Sequence, residues 1–245
     1  SLLSVVGNDE AGEKLRELLE IDNVRANLHC DASIRTTVKL RVIGRQQQLL
    51  RVDFETTPSH EVLLGKLADY RAMLSTCDLV VLSDYGKGGL THIGKMIQLA
   101  RRQGKHVLID PKGADYARYR GATLITPNLN ELRQVIGEWR DEADLTKRAQ
   151  ALRRSLNLKA LLLTRSEDGM TLYEQENVAN ESAKAREVFD VSGAGDTVIA
   201  TLAVMLASGL NLRESMRIAN TAAGIVVGKL GTAVVLPDEL LHFVR

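Results

Sequence analysis

The segment Asp190-Val191-Ser192-Gly193-Ala194-Gly195-Asp196-Thr197 carries the strongest chemical signal in the chain. It ends a short apolar run, and the apolar spacing beyond it predicts a helix from Ala194 to Ser208. Gly193 and Gly195 let backbone N–H groups approach an anion closely, and a helix start adds partial positive charge. A carboxylate beside such amides would repel a resting phosphate. It has a use where a phosphoryl group moves: the amides of Gly193, Ala194 and Gly195 hold the group in flight while Asp196 takes a proton from the attacking hydroxyl. The competing reading is a glycine turn with Asp196 as a helix-start residue.

Four further segments can carry chemistry. Thr126-Pro127-Asn128-Leu129-Asn130-Glu131 follows the predicted strand Thr123–Ile125. There its oxygen donors would face the ligand crevice of a parallel sheet and suit Mg²⁺ held through water, and helix capping alone is the alternative. In Asp110-Pro111-Lys112-Gly113, Lys112 can neutralise a polyphosphate, with Asp110 holding it or a metal-bound water; a surface turn explains the same residues. Thr164-Arg165-Ser166-Glu167-Asp168-Gly169 is a polar loop between two strands, lining a nucleotide cleft or simply closing a hairpin. Asn220 to Gly231 has small residues at helical spacing, which permit close packing or a flat adenine ring.

Other chemistries lack their residues. None of the five histidines has metal-ligand spacing, and no Ser/His/Asp or Cys/His set assembles from neighbours. A G-x-x-x-x-G-K-[ST] loop is absent, which disfavours a P-loop ATPase, and no G-x-G-x-x-G follows the first strand as a dinucleotide-binding dehydrogenase needs. Lys plus Arg number 32 against 31 acidic residues, and aromatics make up 4%. That balance excludes a polybasic nucleic-acid surface or a base-stacking platform as the organising theme. No apolar run approaches the roughly 18 residues of a membrane span, and no signal peptide is evident at Ser1. Two cysteines are too few for a disulfide framework and fit a reducing, cytoplasmic setting.

The elements that must position these residues follow from apolar patterning. Leu2–Val6 reads as a buried strand and Glu10–Leu19 as a helix. Thr36–Ile43 and Leu49–Phe54 alternate as an antiparallel hairpin around Gly44–Gln48. After His60 the rhythm becomes βα: strands at Leu79–Leu82, Val107–Ile109, Thr123–Ile125 and Ala160–Leu163, with helices such as Ile93–Arg102 and Asp144–Leu156 between them. Met170–Tyr173 and Glu187–Phe189 add strands, Asn177–Lys184 reads as an irregular loop, and Leu212–Val227 and a piece after Pro237 are helical. The expectation is one α/β domain over residues 1–245, a mostly parallel sheet flanked by helices, with a small β insertion over residues 27–57. An isolated two-stranded hairpin is marginally stable, so this one is expected to pair with a second copy in a homodimer.

Taken together the motifs resemble the ribokinase family of carbohydrate kinases, over essentially all 245 residues. Asp190 to Thr197 is similar to its C-terminal signature, Asn128 to Glu131 to its N-x-x-E motif, and Thr164–Gly169 and Asn220–Gly231 to its adenosine segments. Thr37–Val42, Gln47–Glu55, Leu82–Gly88, Leu108–Gly113 and Val226–Thr232 are similar to the branch acting on D-glycero-β-D-manno-heptose 7-phosphate, in lipopolysaccharide core synthesis. The resemblance implies a three-layer sandwich with a β lid over the sugar, ATP and Mg²⁺ as cofactors, and phosphorylation of O1 to the 1,7-bisphosphate.

By position, the resemblance makes Asp196 the base that also touches the sugar, and Gly193, Ala194 and Gly195 the anion hole. Asn128 and Glu131 hold Mg²⁺ through water. Leu129, Asn130, Lys112, Thr164, Ser166, Gly169, Asn220 and Gly224 line the nucleotide site. Arg51 and Lys87 meet the phosphate already on the sugar. It further implies an Asp-bearing strand and a Gly-Gly-Ala-x-Asn segment ahead of Ser1. The remaining readings are another ribokinase-like kinase, for a pentose, a fructose phosphate or a nucleoside, and a binding protein on the same fold without turnover.

Overall fold

Side-chain caps and alternating apolar residues set the first elements. The computed structural model describes residues 1–44, 47–184 and 188–244, without the side chains of Ile43, Gln47, Gln48 and Val244. The chain divides into two units, Ser1–Ser75 with Tyr85–His92, and Thr76–Asp84 with Ile93–Arg245.

In the smaller unit, β1 (Leu2–Val6) leads into α1 (Glu10–Ile21), whose start is fixed by Asp9: its Oδ1 accepts from Gly12 N at 2.9 Å. The same carboxylate accepts from Thr36 N at 2.8 Å and Thr36 Oγ1 at 2.6 Å. The chain then forms β2 (Ala26–Cys30), parallel to β1 in the register Leu2↔Ala26 to Val6↔Cys30. Apolar patterning misses β2 because Asn27 and His29 interrupt it. Both are satisfied by Asp69, at 3.2 Å from Asn27 Nδ2 and 2.8 Å from His29 Nε2. The antiparallel hairpin expected from Thr36–Ile43 and Leu49–Phe54 follows: β3 (Val38–Gly44) pairs with β4 (Gln47–Phe54), Val38 opposite Phe54. The centre of its connection, residues 45 and 46, lies outside the described residues. Asp69 belongs to α2 (His60–Met73), capped by Ser59.

In the larger unit, short aliphatic runs form a six-stranded sheet in the order β10-β9-β8-β7-β6-β5. These are β5 (Leu79–Ser83), β6 (His106–Asp110), β7 (Leu124–Ile125), β8 (Ala160–Thr164), β9 (Met170–Tyr173) and β10 (Val178–Glu181). Between them lie α3 (Ile93–Arg102), α4 (Leu129–Ile136) and α5 (Glu142–Ser155), and after them α6 (Ala194–Ala207), α7 (Leu212–Val227) and α8 (Pro237–Val244). Strands β5 to β8 are parallel, β9 is antiparallel to β8, and β10 is antiparallel to β9.

Alternation assigns side chains to the two faces of this sheet. Leu108, Leu124, Leu162 and Leu172 pack with Val198 and Leu202 of α6 and Met216 and Ala219 of α7 in one cluster. The neighbouring Val107, Ile109, Leu161 and Leu163 are also fully buried, on the other face, where α3 packs on β6 and α5 on β8. Helices thus cover both faces, as the unbroken aliphatic strands require.

Two segments differ from the sequence reading. Asn177–Lys184 is no irregular loop: Val178–Glu181 pairs with β9, and Thr171 Oγ1 donates to Asn180 Oδ1 at 2.7 Å. Polar Asn180 and Glu181 obscure an edge strand that buries Ala179. The strand expected at Glu187–Phe189 begins at a residue outside the described set, and Val188 and Phe189 lie outside regular structure. Among the described residues no helix is long and apolar enough to cross a membrane.

Candidate active site

The parallel strands deliver their C-terminal ends to one place in the larger unit, the position where such sheets gather ligand groups. Asp84 follows β5 and Asp110 ends β6, and Asp84 N donates to Asp110 O at 2.9 Å. Asp84 is only 4% exposed; Tyr119 Oη donates to its Oδ2 at 2.9 Å, and Arg118 Nη1 stands 3.4 Å away. Tyr119 Oη accepts in turn from Lys112 N at 3.0 Å, fixing the turn after β6.

After β7, Asn128 and Glu131 form a reciprocal cap on α4. Glu131 N donates to Asn128 Oδ1 at 2.9 Å, and Asn128 N donates to Glu131 Oε2 at 3.0 Å. Glu131's other oxygen, Oε1, takes Lys112 Nζ at 2.9 Å. The capping reading of this motif therefore holds alongside any ligand role. Leu129 is half-buried in the first turn, and Asn130 is exposed with its Oδ1 turned to Arg133.

These carboxylates act on one another. Burial, then Glu131 and Asp196, raise the carboxyl of Asp110 to about 7; Lys112 opposes the shift and Asp84 adds to it. Asp196 is thus within electrostatic reach of Asp110 although 86 residues separate them in sequence (196 − 110). Tyr116 is 2% exposed, its hydroxyl has no partner among the described residues, and burial followed by Glu131 pushes its pKa up. Sequence reasoning passed over Asp84, Tyr116 and Tyr119 as site residues. Asp84, like Asp110, ends an aliphatic strand just before a glycine-bearing turn, and that signal was available.

The loop before α6 is anchored from behind. Phe189 N and Asp190 N donate to Val227 O at the end of α7, at 2.8 and 3.3 Å, and Asp190 Oδ1 accepts from Ser192 N at 2.8 Å. Gly193 sits at φ +80°, a left-handed conformation that glycine adopts without a Cβ penalty. The first helical bond is Thr197 N to Gly193 O at 2.9 Å, so Gly193 N and Gly195 N find no partner among the described residues. Open space surrounds both glycines, and Asp196 is exposed in the helix's first turn. Unpaired amides, a helix N-terminus and a carboxylate in one turn can bind an anion and accept a proton beside it.

The other expected nucleotide residues converge on a second cluster. Thr164 N donates to Pro127 O at 3.0 Å, joining the end of β8 to the Asn128 turn. Ser166 is exposed at φ +51°. Gly169, at φ +89°, lies against the backbone of Glu181–Ala183, where a Cβ would collide. Buried Asn220 donates from Nδ2 to Ser182 O at 2.7 Å and so holds that same strand end, four residues before Gly224 on α7. Arg51 and Lys87 lie in the smaller unit, each with a carboxylate partner: Arg51 grips Asp53 through Nε and Nη2, both at 3.0 Å, and Lys87 pairs with Glu55.

A sequence model of the pfkB family of carbohydrate kinases matches residues 1–239. The chain belongs to that family. As a pfkB-family kinase it is 52% identical over 240 residues to the D-beta-D-heptose 7-phosphate kinase of Bordetella bronchiseptica, covering 98% of this chain and 77% of that protein. It is also 52% identical over 235 residues to the Bifunctional protein HldE of Halorhodospira halophila, covering 96% of this chain but 49% of that one. The chain spans about half the length of such bifunctional relatives. In fold it is similar to the Arabidopsis thaliana ribokinase complexed with ribose and ATP, at TM-score 0.81 and 20% identity over 99% of this chain and 81% of that one. The expected ribokinase-like architecture is the one observed, and the family makes the chain an ATP-dependent sugar kinase.

Proposed function

We propose that this kinase transfers the γ-phosphoryl group of ATP to O1 of D-glycero-β-D-manno-heptose 7-phosphate, giving the 1,7-bisphosphate and ADP on the route to ADP-heptose. The observation that carries the reaction type is the Gly193–Asp196 turn, with two backbone N–H groups unpaired among the described residues beside an exposed carboxylate. Asp196 takes the proton of the sugar hydroxyl as that oxygen bonds to phosphorus. The bond from Pγ to the bridging oxygen breaks, and ADP leaves with the electron pair. The amides of Gly193, Ala194 and Gly195 carry the charge on the oxygens in transit. Similarity to heptose 7-phosphate kinases supports the choice of sugar.

The donor set suits Mg²⁺. Asp110 and Glu131 put hard oxygens near one another, and the elevated Asp110 is a carboxyl whose ionised form a divalent cation would favour. Among the described residues no group of three metal-ligating side chains assembles, which fits an ion held largely by water and phosphate, with Asn128 and Glu131 behind the water. Bound there, Mg²⁺ would neutralise phosphate charge.

The exposed apolar face of the lid hairpin supports the homodimer reading: Val38, Leu40, Val42, Leu50 and Phe54 share one side and all are exposed. Both cysteines are free thiols, which fits a cytoplasmic enzyme. An ADP-release assay across heptose 7-phosphate, fructose 6-phosphate, ribose and adenosine tests the substrate. The heptose phosphate should give the highest kcat/KM, and a higher value for any other sugar would refute the assignment.

A further inference from the structure

An open cleft of about 860 Å³ lies at the other end of the large sheet's strands, where the parallel strands begin. It touches His106 at the start of β6 and Lys159 just before β8, whereas Asp110 and Thr164 end those strands. Each strand has five residues, so about 15 Å of strand separates the cleft from the candidate active site. None of the residues assigned to catalysis, Mg²⁺ or nucleotide lines it.

Its lining is unevenly charged. Arg101, Lys105, Arg153 and Lys159 face Glu174 and Glu176, and none of the six belongs to an ion pair among the described residues. Arg153 is the decisive side chain. It is 6% exposed, donates from Nε to Gln150 Oε1 at 2.7 Å and from Nη1 to Leu158 O at 3.0 Å, and meets no carboxylate. Its Nη2 makes no hydrogen bond to the described residues.

Two hydrogen bonds fix the Arg153 guanidinium largely out of water while its Nη2 stays open to solvent in the cleft, so an anion there would meet a preset cation without a counter-charge among the described residues. Cations near the ends of α3 and α5 favour the helix dipoles, which accounts for exposed Arg101 but not for the hydrogen bonds that aim Arg153 Nη2 into the cleft. Arg101 is also held in place: Gly121, at φ +84°, leaves the space its guanidinium occupies against the backbone.

The geometry points to a second ligand site in this cleft, for a small phosphorylated polyol, a sugar phosphate or a nucleotide. Arg153 Nη2, Arg101 and Lys159 meet the phosphate, and the carboxylates of Glu174 and Glu176 accept from hydroxyls. The glutamates on the β9–β10 turn disfavour an extended polyanion such as nucleic acid.

The test titrates fructose 1,6-bisphosphate and, separately, ADP into the full chain by calorimetry. The variants are Lys159→Glu, Arg153→Gln and, for the active site, Lys112→Ala. Lys159 is exposed, so its variant does not depend on tolerating a core change. The site requires that at least one probe bind about tenfold or more weakly to Lys159→Glu while its affinity for Lys112→Ala is unchanged. The probe that responds identifies the source, sugar phosphate or nucleotide. A result in which neither probe meets both conditions overturns the proposal, whether its binding follows Lys112 instead or is absent.

Discussion

Lys112 Nζ rests 2.9 Å from Oε1 of Glu131, while Oε2 of the same carboxylate accepts Asn128 N at 3.0 Å. One side chain thus caps α4, holds the cation expected to meet phosphate, and stands where Mg²⁺ is proposed. Glu131→Gln keeps a capping-box residue and removes the charge. The Mg²⁺ concentration for half-maximal activity should rise about tenfold or more, with little change in melting temperature. An unchanged Mg²⁺ requirement in a steady-state titration would leave Glu131 a cap alone.

Asp110 makes stability depend on pH. Its carboxyl lies at about 7 against an ordinary 3.8, with burial the leading cause and Glu131 and Asp196 next. A raised folded-state value means this contribution is fully present below the unfolded value near 3.8 and is lost as pH rises through 7. The metal-free protein should therefore melt lower at pH 8 than at pH 5.5 through this group, and Asp110→Asn should flatten the difference. Thermal melts at the two pH values, with and without Mg²⁺, check it; Mg²⁺ should restore more stability at pH 8.

Asp196→Asn removes the proposed base from an exposed position without disturbing the core. Turnover should fall by roughly 10²–10⁴-fold, with ATP affinity by calorimetry kept within a factor of about two. Near-normal kcat would mean that another group takes the proton.

Gly193 and Gly169 both sit at positive φ but for different reasons. Gly193 faces open space, so Gly193→Ala carries only the left-handed penalty, about 1–2 kcal/mol. It should cost activity more than stability, because the displaced amides serve the phosphoryl group. Gly169→Ala drives a Cβ into the Glu181–Ala183 backbone and should lose about 3 kcal/mol or more. Urea denaturation of the two variants separates the cases.

Arg51 is 49% exposed at its side chain and already bidentate to Asp53. If it exchanges that carboxylate for the sugar's phosphate, Arg51→Ala should raise KM for the sugar phosphate about tenfold while KM for ATP stays level. Equal rises in both constants would exclude the role.

Much of the larger unit was legible from pattern alone. Strands buried on both faces must be aliphatic throughout, and α3, α7 and β9 fall where their residues predict them. The strands with polar residues were not legible. β2 keeps Asn27 and His29 because Asp69, some forty residues onward, satisfies them, and β10 keeps Asn180 because Thr171 does. No local window contains those partners.

The candidate site divides along the same line. Residue types alone fixed the Gly193–Asp196 turn and the Asn128–Glu131 cap, because backbone conformation and helix ends are local matters. Only the folded sheet brought Asp84, Asp110, Glu131 and Asp196 within electrostatic reach, lifted Asp110 toward neutrality, and put Asn220 on the strand end that Gly169 touches. Burial and the summed field of distant charges belong to the tertiary arrangement, and they turn an ordinary aspartate at a strand end into a group poised to titrate near neutral pH.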